Sequence, residues 1–194
     1  MGLLETREQD QLEGLKPVLE AVSSVMGFVP NSMLTMAHWP ELVTAFAGLG
    51  ATVLQSGELE PELKQLIALV ASRAHGCQYC QAHTAHSAHA RGVSDEKLAA
   101  VFEFESSPLF TERERAALRL GWHGALQPNA VSKDDVEAAQ EHFSERQIVE
   151  ITAVIALFGF LNRWNDSLAT DLEDLPRGFA EESLARSGWQ RGKH

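Results

Sequence analysis

Cysteine is scarce in this chain, and so are tyrosine, basic charge and long apolar runs. The 194 residues hold two cysteines, Cys77 and Cys80, and a single tyrosine, Tyr79. Two cysteines are too few for the disulfide framework of a small secreted domain, and a pair in a cytosolic chain is more often catalytic or metal-binding. The longest apolar stretch, 151–161 with Thr152 inside it, falls far short of the ~20 residues that a membrane-spanning helix needs. The opening MGLLETREQD lacks the apolar run of a secretory signal. Against 27 acidic residues stand 16 basic ones, a net charge of −11, which argues against general affinity for nucleic acid or an anionic membrane. Alternating strand patterns with hairpin glycines are missing as well. What remains is an all-α, cytoplasmic protein by expectation, with 44 % hydrophobic residues to fill the core of one domain.

The helices announce themselves through their ends. Pro17 suits a first turn and is followed by Val18, Val22, Val25 and Met26 at helical spacing. GFVPNS at 27–32 is a break, with Asn31 or Ser32 placed to cap the next short helix. Pro40 opens a helix carrying Leu42, Phe46, Leu49 and Val53, and after SGELEPE the series Leu63, Ile67, Val70, Ala74 begins another. Gly76 interrupts it. A helix from about 78 to 91 then stops at Gly92. Thr111 with Glu114, and Ser144 with Gln147, form capping boxes; the second opens the longest helix, expected to run to about Thr170. Its buried stripe of Ile148, Ile151, Ile155 and Phe158 is continued by the polar Asn162 and Asp166. These make either a structural network with Arg163 and Asn165 or a polar pocket wall. Beyond Pro176 the tail is polar, a docking arm or a mobile end, with a short helix expected near 179–186.

Chemistry concentrates in AHGCQYCQAHTAHSAHARG, residues 74–92, which holds both cysteines and four of the eight histidines. A Cys-x-x-Cys at a helix start can close to a disulfide, and the helix N-terminus lowers the pKa of a thiol placed there. His83 and Thr84, three and four residues after Cys80, share its face, where an imidazole can exchange a proton with a thiol or a leaving group. That is the arrangement of a redox dithiol. The same neighbourhood offers nitrogen and sulfur ligands for zinc, with Cys77, Cys80, His83 and His86 as the candidate set. His86 and His89 otherwise read as exposed helix residues. Tyr79 either packs beside the dithiol or places its hydroxyl in the proton path.

The GCQYC motif, preceded by LKQLIALVASRAH and followed by ARGVSDEKLAAV, resembles the AhpD-like alkylhydroperoxidase branch of the carboxymuconolactone decarboxylase family. MGFVPNSMLTMAHWPEL (26–42), FTERERAALRLG and FGFLNRWNDSLATDLE (158–173) are similar to segments of its longer, peroxidase-related members. The resemblance implies a helical bundle that forms homo-oligomers, divided here into an N-terminal helical extension (1–58), a core with the Cys-x-x-Cys helix (59–175) and a polar C-terminal tail (176–194). It implies a thiol-dependent hydroperoxide reductase or disulfide oxidoreductase with no cofactor, whose partners are a hydroperoxide and a dithiol reductant. Carried over, Cys80 is the attacking thiol and Cys77 the resolving one. The family's relay glutamate falls on Gln65, which cannot act as a base near neutral pH, and its histidine falls on Thr84, with His83 one residue early as the expected substitute.

Overall fold

In a computed structural model that describes residues 2–194, ten α-helices and a few single 3₁₀ turns carry the fold, and no strand occurs among the described residues. The first three helices are α1 (Lys16–Met26), α2 (Asn31–Met36) and α3 (Pro40–Gln55); α4 (Pro61–His75) and α5 (Gln78–Ala90) follow. Next come α6 (Asp95–Ala99), α7 (Glu112–Ala125), α8 (Lys133–Gln140), α9 (Glu145–Leu168) and α10 (Asp174–Ser183). Proline lies in the first turn of α1, α3 and α4, where its missing N–H costs nothing. Both expected capping boxes form, at Thr111/Glu114 and Ser144/Gln147. α9 ends at Leu168, two residues earlier than the sequence suggests, because Ala169 turns left-handed with φ 47°.

The centre of the molecule is α4. Its residues 63–72 are all buried, so the helix is covered on every side, by α5, α7 and α9. Gly121 on α7 permits one of these contacts: a Cβ there would lie 3.3 Å from the Ile67 backbone oxygen. Buried Lys64 is answered at the end of α4 by the Val53 carbonyl at 2.9 Å and the Glu150 carboxylate at 3.4 Å. Glu150 also accepts from the Glu58 and Leu59 backbone N–H groups, which ties the α3–α4 turn to α9. A smaller apolar cluster, including Leu12, Leu19, Met33 and Val43, joins α1, α2 and α3 and packs beside the main core.

α4 ends at Gly76, whose φ of +92° lets the chain reverse at once into α5. That reversal sets Cys77 at the N-cap of α5. The polar tail docks: α10 packs on α5, Trp189 donates to the Gln78 carbonyl at 3.0 Å, and Arg73 donates to the Ser187 carbonyl at 3.0 Å. Its helix begins at Asp174, five residues before the expected start.

Candidate active site

Cys77 caps α5 with its side chain, the sulfur accepting from the Cys80 backbone N–H at 3.4 Å. Both cysteines are reduced and buried, with 0 % of Cys77 and 2 % of Cys80 exposed. They nevertheless look in different directions. Cys80 lines a cavity of about 140 Å³ between α5 and mainly apolar side chains of α1, α3 and α9, whereas Cys77 does not reach it. The Asn165 amide, on α9, lies 3.5 Å from the Cys80 sulfur as a donor. Of the polar residues on that stretch of α9, it is Asn165 that lines the cavity; Asn162 is fully buried elsewhere and Asp166 faces the tail.

The two sulfurs differ in acidity. A hydrogen bond from the Cys80 thiol outweighs burial and lowers Cys77 to about 6, with His194 contributing in the same direction. Burial, and then the neighbouring Cys77, push Cys80 well above the ordinary thiol range. His194 comes from the far end of the chain. It is 4 % exposed, with Nε2 3.0 Å from an Asp166 carboxylate oxygen and Nδ1 3.2 Å from the Thr170 carbonyl. Burial opposes its charge, but Asp166 and then Cys77 lift it to about 9.

On the cavity side the decisive residue is Glu173, which immediately precedes α10. Its carboxylate accepts from His83 Nε2 at 2.6 Å, from the Tyr79 hydroxyl at 2.8 Å and from the Asn31 backbone N–H. Burial alone would raise Glu173, yet His83 and the backbone donors hold it below the usual carboxylate value. Tyr79 goes the other way, kept protonated by burial and by Glu173. The rings of Tyr79 and His83 stack with centroids 4.3 Å apart. The expected cap on α2 is therefore absent: Glu173 serves the Asn31 N–H, and the Asn31 side chain donates instead to the Asp171 carbonyl at 2.9 Å.

The sequence-derived candidates thus separate. Cys80, His83, Tyr79, Thr84 and Gln65 line one cavity, and Cys77 stands behind it. Thr84 donates its hydroxyl to the Cys80 carbonyl at 2.7 Å, so its proton serves the helix backbone. The zinc set of Cys77, Cys80, His83 and His86 is not assembled, because His83 turns to Glu173 and His86 sits between the rings of Phe28 and Phe179. Among the described residues, the metal-type groups that do converge are Cys77, Asp166 and His194. Both His194 ring nitrogens are already engaged there by Thr170 and Asp166, leaving the imidazole no lone pair for a cation. Glu173 and His194 were not legible as site residues: each lies in irregular chain far from the cysteines, and only the fold brings them in.

Comparison with known proteins agrees with this architecture. Residues 40–121 match the model of the carboxymuconolactone decarboxylase family. The crystal structure of the debrominase Bmp8, a cysteine-to-alanine variant in complex with 2,3,4-tribromopyrrole, superposes with a TM-score of 0.88 at 35 % identity, covering 93 % of this chain and 96 % of that one. An uncharacterized peroxidase-related protein with an AhpD core from Ralstonia eutropha JMP134 superposes with a TM-score of 0.80 at 24 % identity, covering 92 % and 95 %, a likeness of fold. The uncharacterized Escherichia coli K12 protein YnjA is 28 % identical over 119 residues, 61 % of this chain and 65 % of its own length, just under two thirds of that relative.

Proposed function

We propose that this chain, which belongs to the carboxymuconolactone decarboxylase family, is an oxidoreductase that uses its Cys77–Cys80 dithiol to reduce an organic hydroperoxide. The observation that carries the reading is the division of the two sulfurs: Cys80 opens onto an apolar cavity, and the more acidic Cys77 lies directly behind it.

The chemistry follows from that order. As a hydroperoxide meets Cys80, the Cys80 thiol passes its proton to the Cys77 thiolate and attacks the distal oxygen. The O–O bond breaks, and the departing alkoxide takes a proton from His83, whose ring is held by its hydrogen bond to Glu173. Cys80 is left as a sulfenic acid. The Cys77 sulfur then attacks it, a disulfide forms, and the hydroxyl leaves with the Cys77 proton as water. An external dithiol restores both thiols and returns the proton to His83, so each turnover moves two electrons. Gln65 and Asn165 line the same cavity, and their amides would orient the bound oxygens.

The whole-chain likeness to Bmp8 favours one second reading, reductive dehalogenation. There Cys80 would take bromine from an aryl carbon, His83 would protonate that carbon, and Cys77 would displace bromide to give the same disulfide. The test is a single-turnover assay of the reduced protein with cumene hydroperoxide and with 2,3,4-tribromopyrrole, following peroxide loss, bromide release and free thiols. Cys80→Ser should consume neither compound. Cys77→Ser, which lacks the base that takes the Cys80 proton, should react once, more slowly than wild type, and stop at a sulfenic acid that dimedone traps. Wild-type rates in both variants would sink the dithiol reading, and bromide release without peroxide loss would replace the first reading by the second.

A further inference from the structure

The cavity that Cys80 enters continues along α5, and its wall has a polarity gradient. Cys80, Thr84, Ser87 and Arg91 succeed one another at spacings of four, three and four residues, so all four lie on one face of the helix, and all four line the cavity. The opposite wall is apolar, formed among others by Val22, Val25 and Met26 of α1, Phe46 and Leu54 of α3, and Leu161 of α9. At the far end stands Arg91. It is the one lining residue with a permanent charge, and no Asp or Glu lines the cavity among the described residues.

Arg91 is held in place without being neutralised. Its Nη1 donates to the Ser87 carbonyl at 3.0 Å, and no carboxylate forms an ion pair with it among the described residues. Burial pulls Arg91 below its ordinary pKa, opposed only by Glu62 acting at a distance. A partly desolvated guanidinium facing an apolar cavity retains N–H donors arranged to grip a carboxylate. The eleven residue steps from Cys80 to Arg91 rise about 16 Å along the helix. With carbon–carbon bonds near 1.5 Å, a zigzag chain of roughly a dozen carbons reaches as far.

We infer that the substrate is an amphipathic carboxylate, a long-chain fatty-acid hydroperoxide whose acid head binds Arg91 while its peroxide reaches Cys80. This rests on the hydroperoxidase reading for the reacting group, but the head-group site stands on its own geometry. An apolar channel alone would accept acid and ester alike. The charge at its end makes it choose.

The experiment has a binding arm and a turnover arm. Isothermal titration of dodecanoic acid and methyl dodecanoate needs no chemistry, and the acid should bind at least about tenfold tighter, the lower end of what a charge-assisted hydrogen bond supplies. In Arg91→Gln that ratio should fall towards one, and Arg91→Lys should restore part of it, with circular dichroism confirming that each variant is folded. In turnover, the hydroperoxide of linoleic acid should be favoured over its methyl ester by a similar factor in kcat/KM, and Arg91→Gln should erase the preference. Acid and ester binding equally to the wild type, or a preference untouched by Arg91→Gln, would overturn the inference. Discrimination in binding with no hydroperoxide consumed would leave the acid-binding site standing and remove the hydroperoxidase reading instead.

Discussion

Glu173 gathers the proton-bearing groups of the cavity onto one carboxylate, and its chemistry answers a specific vacancy. Gln65 sits where a base would be useful, but an amide has no proton to exchange near neutral pH. A carboxylate 2.6 Å from His83 Nε2 fixes the tautomer and orientation of that imidazole, as carboxylate–histidine pairs do elsewhere. Glu173 acts through His83, so it is a positioning residue. Glu173→Gln keeps the size and one acceptor while removing the charge. It should lower single-turnover hydroperoxide reduction by roughly the 10²–10⁴-fold that a positioned acid contributes. Glu173→Asp, which keeps the charge, should restore part of that rate where Glu173→Gln does not. Equal rates in Glu173→Asp and Glu173→Gln, both folded by circular dichroism, would make Glu173 a structural residue only. Nothing near the cysteines in sequence points to Glu173. It stands 90 residues from His83, in the bend between two helices, where no periodic pattern marks it.

At the level of elements, much was legible because helix ends are local. Proline in first turns, Gly76 and Gly92 at chain reversals, and the two capping boxes depend on residues within four positions of each other, and all of them form. The cap on α2 failed for a non-local reason, since its free N–H meets Glu173 from across the molecule. The docked tail is similar: its polar composition conceals Trp189 and His194, both buried on arrival. That docking has a measurable pH signature. Unfolded, a cysteine titrates near 9.0 and a histidine near 6.5; folded, Cys77 falls to about 6 and His194 rises to about 9. Between those limits folding moves one proton's worth of charge from thiol to imidazole and takes up none, so the pair adds no slope to stability. Cys77→Ser removes one half. His194, still raised by Asp166, then takes up a proton on folding, and its stabilisation is complete below pH 6.5 and lost as pH rises through its folded pKa. The urea midpoint should therefore fall more steeply from pH 6.5 to 9 in Cys77→Ser than in reduced wild type. Parallel profiles would show that thiolate and imidazolium do not compensate.

For the whole molecule, the surface says more than the core. Trp39 is 63 % exposed and Leu49 53 % on the α3 side, and on α9 Val149 is 63 % and Phe160 40 % exposed. Phe46, Phe160 and Trp164 stack in a row between those helices, with centroids 5.4 and 5.9 Å apart. Large apolar side chains concentrated in this way favour a second copy as their cover. Light scattering at micromolar concentration should return a multiple of 21.3 kDa, and Phe160→Glu should shift it towards the single chain. A wild-type particle of 21.3 kDa would dismiss the assembly. The long reach from His83 to Glu173 also has a meaning in time. A ribosome adds about 5–20 residues per second, so the 90 residues between them take on the order of 5–20 seconds to appear. Throughout that interval the nascent chain carries its thiol pair without the carboxylate that holds the neighbouring imidazole. The hydrogen-bonded set around His83 is therefore complete only when the last helices fold back.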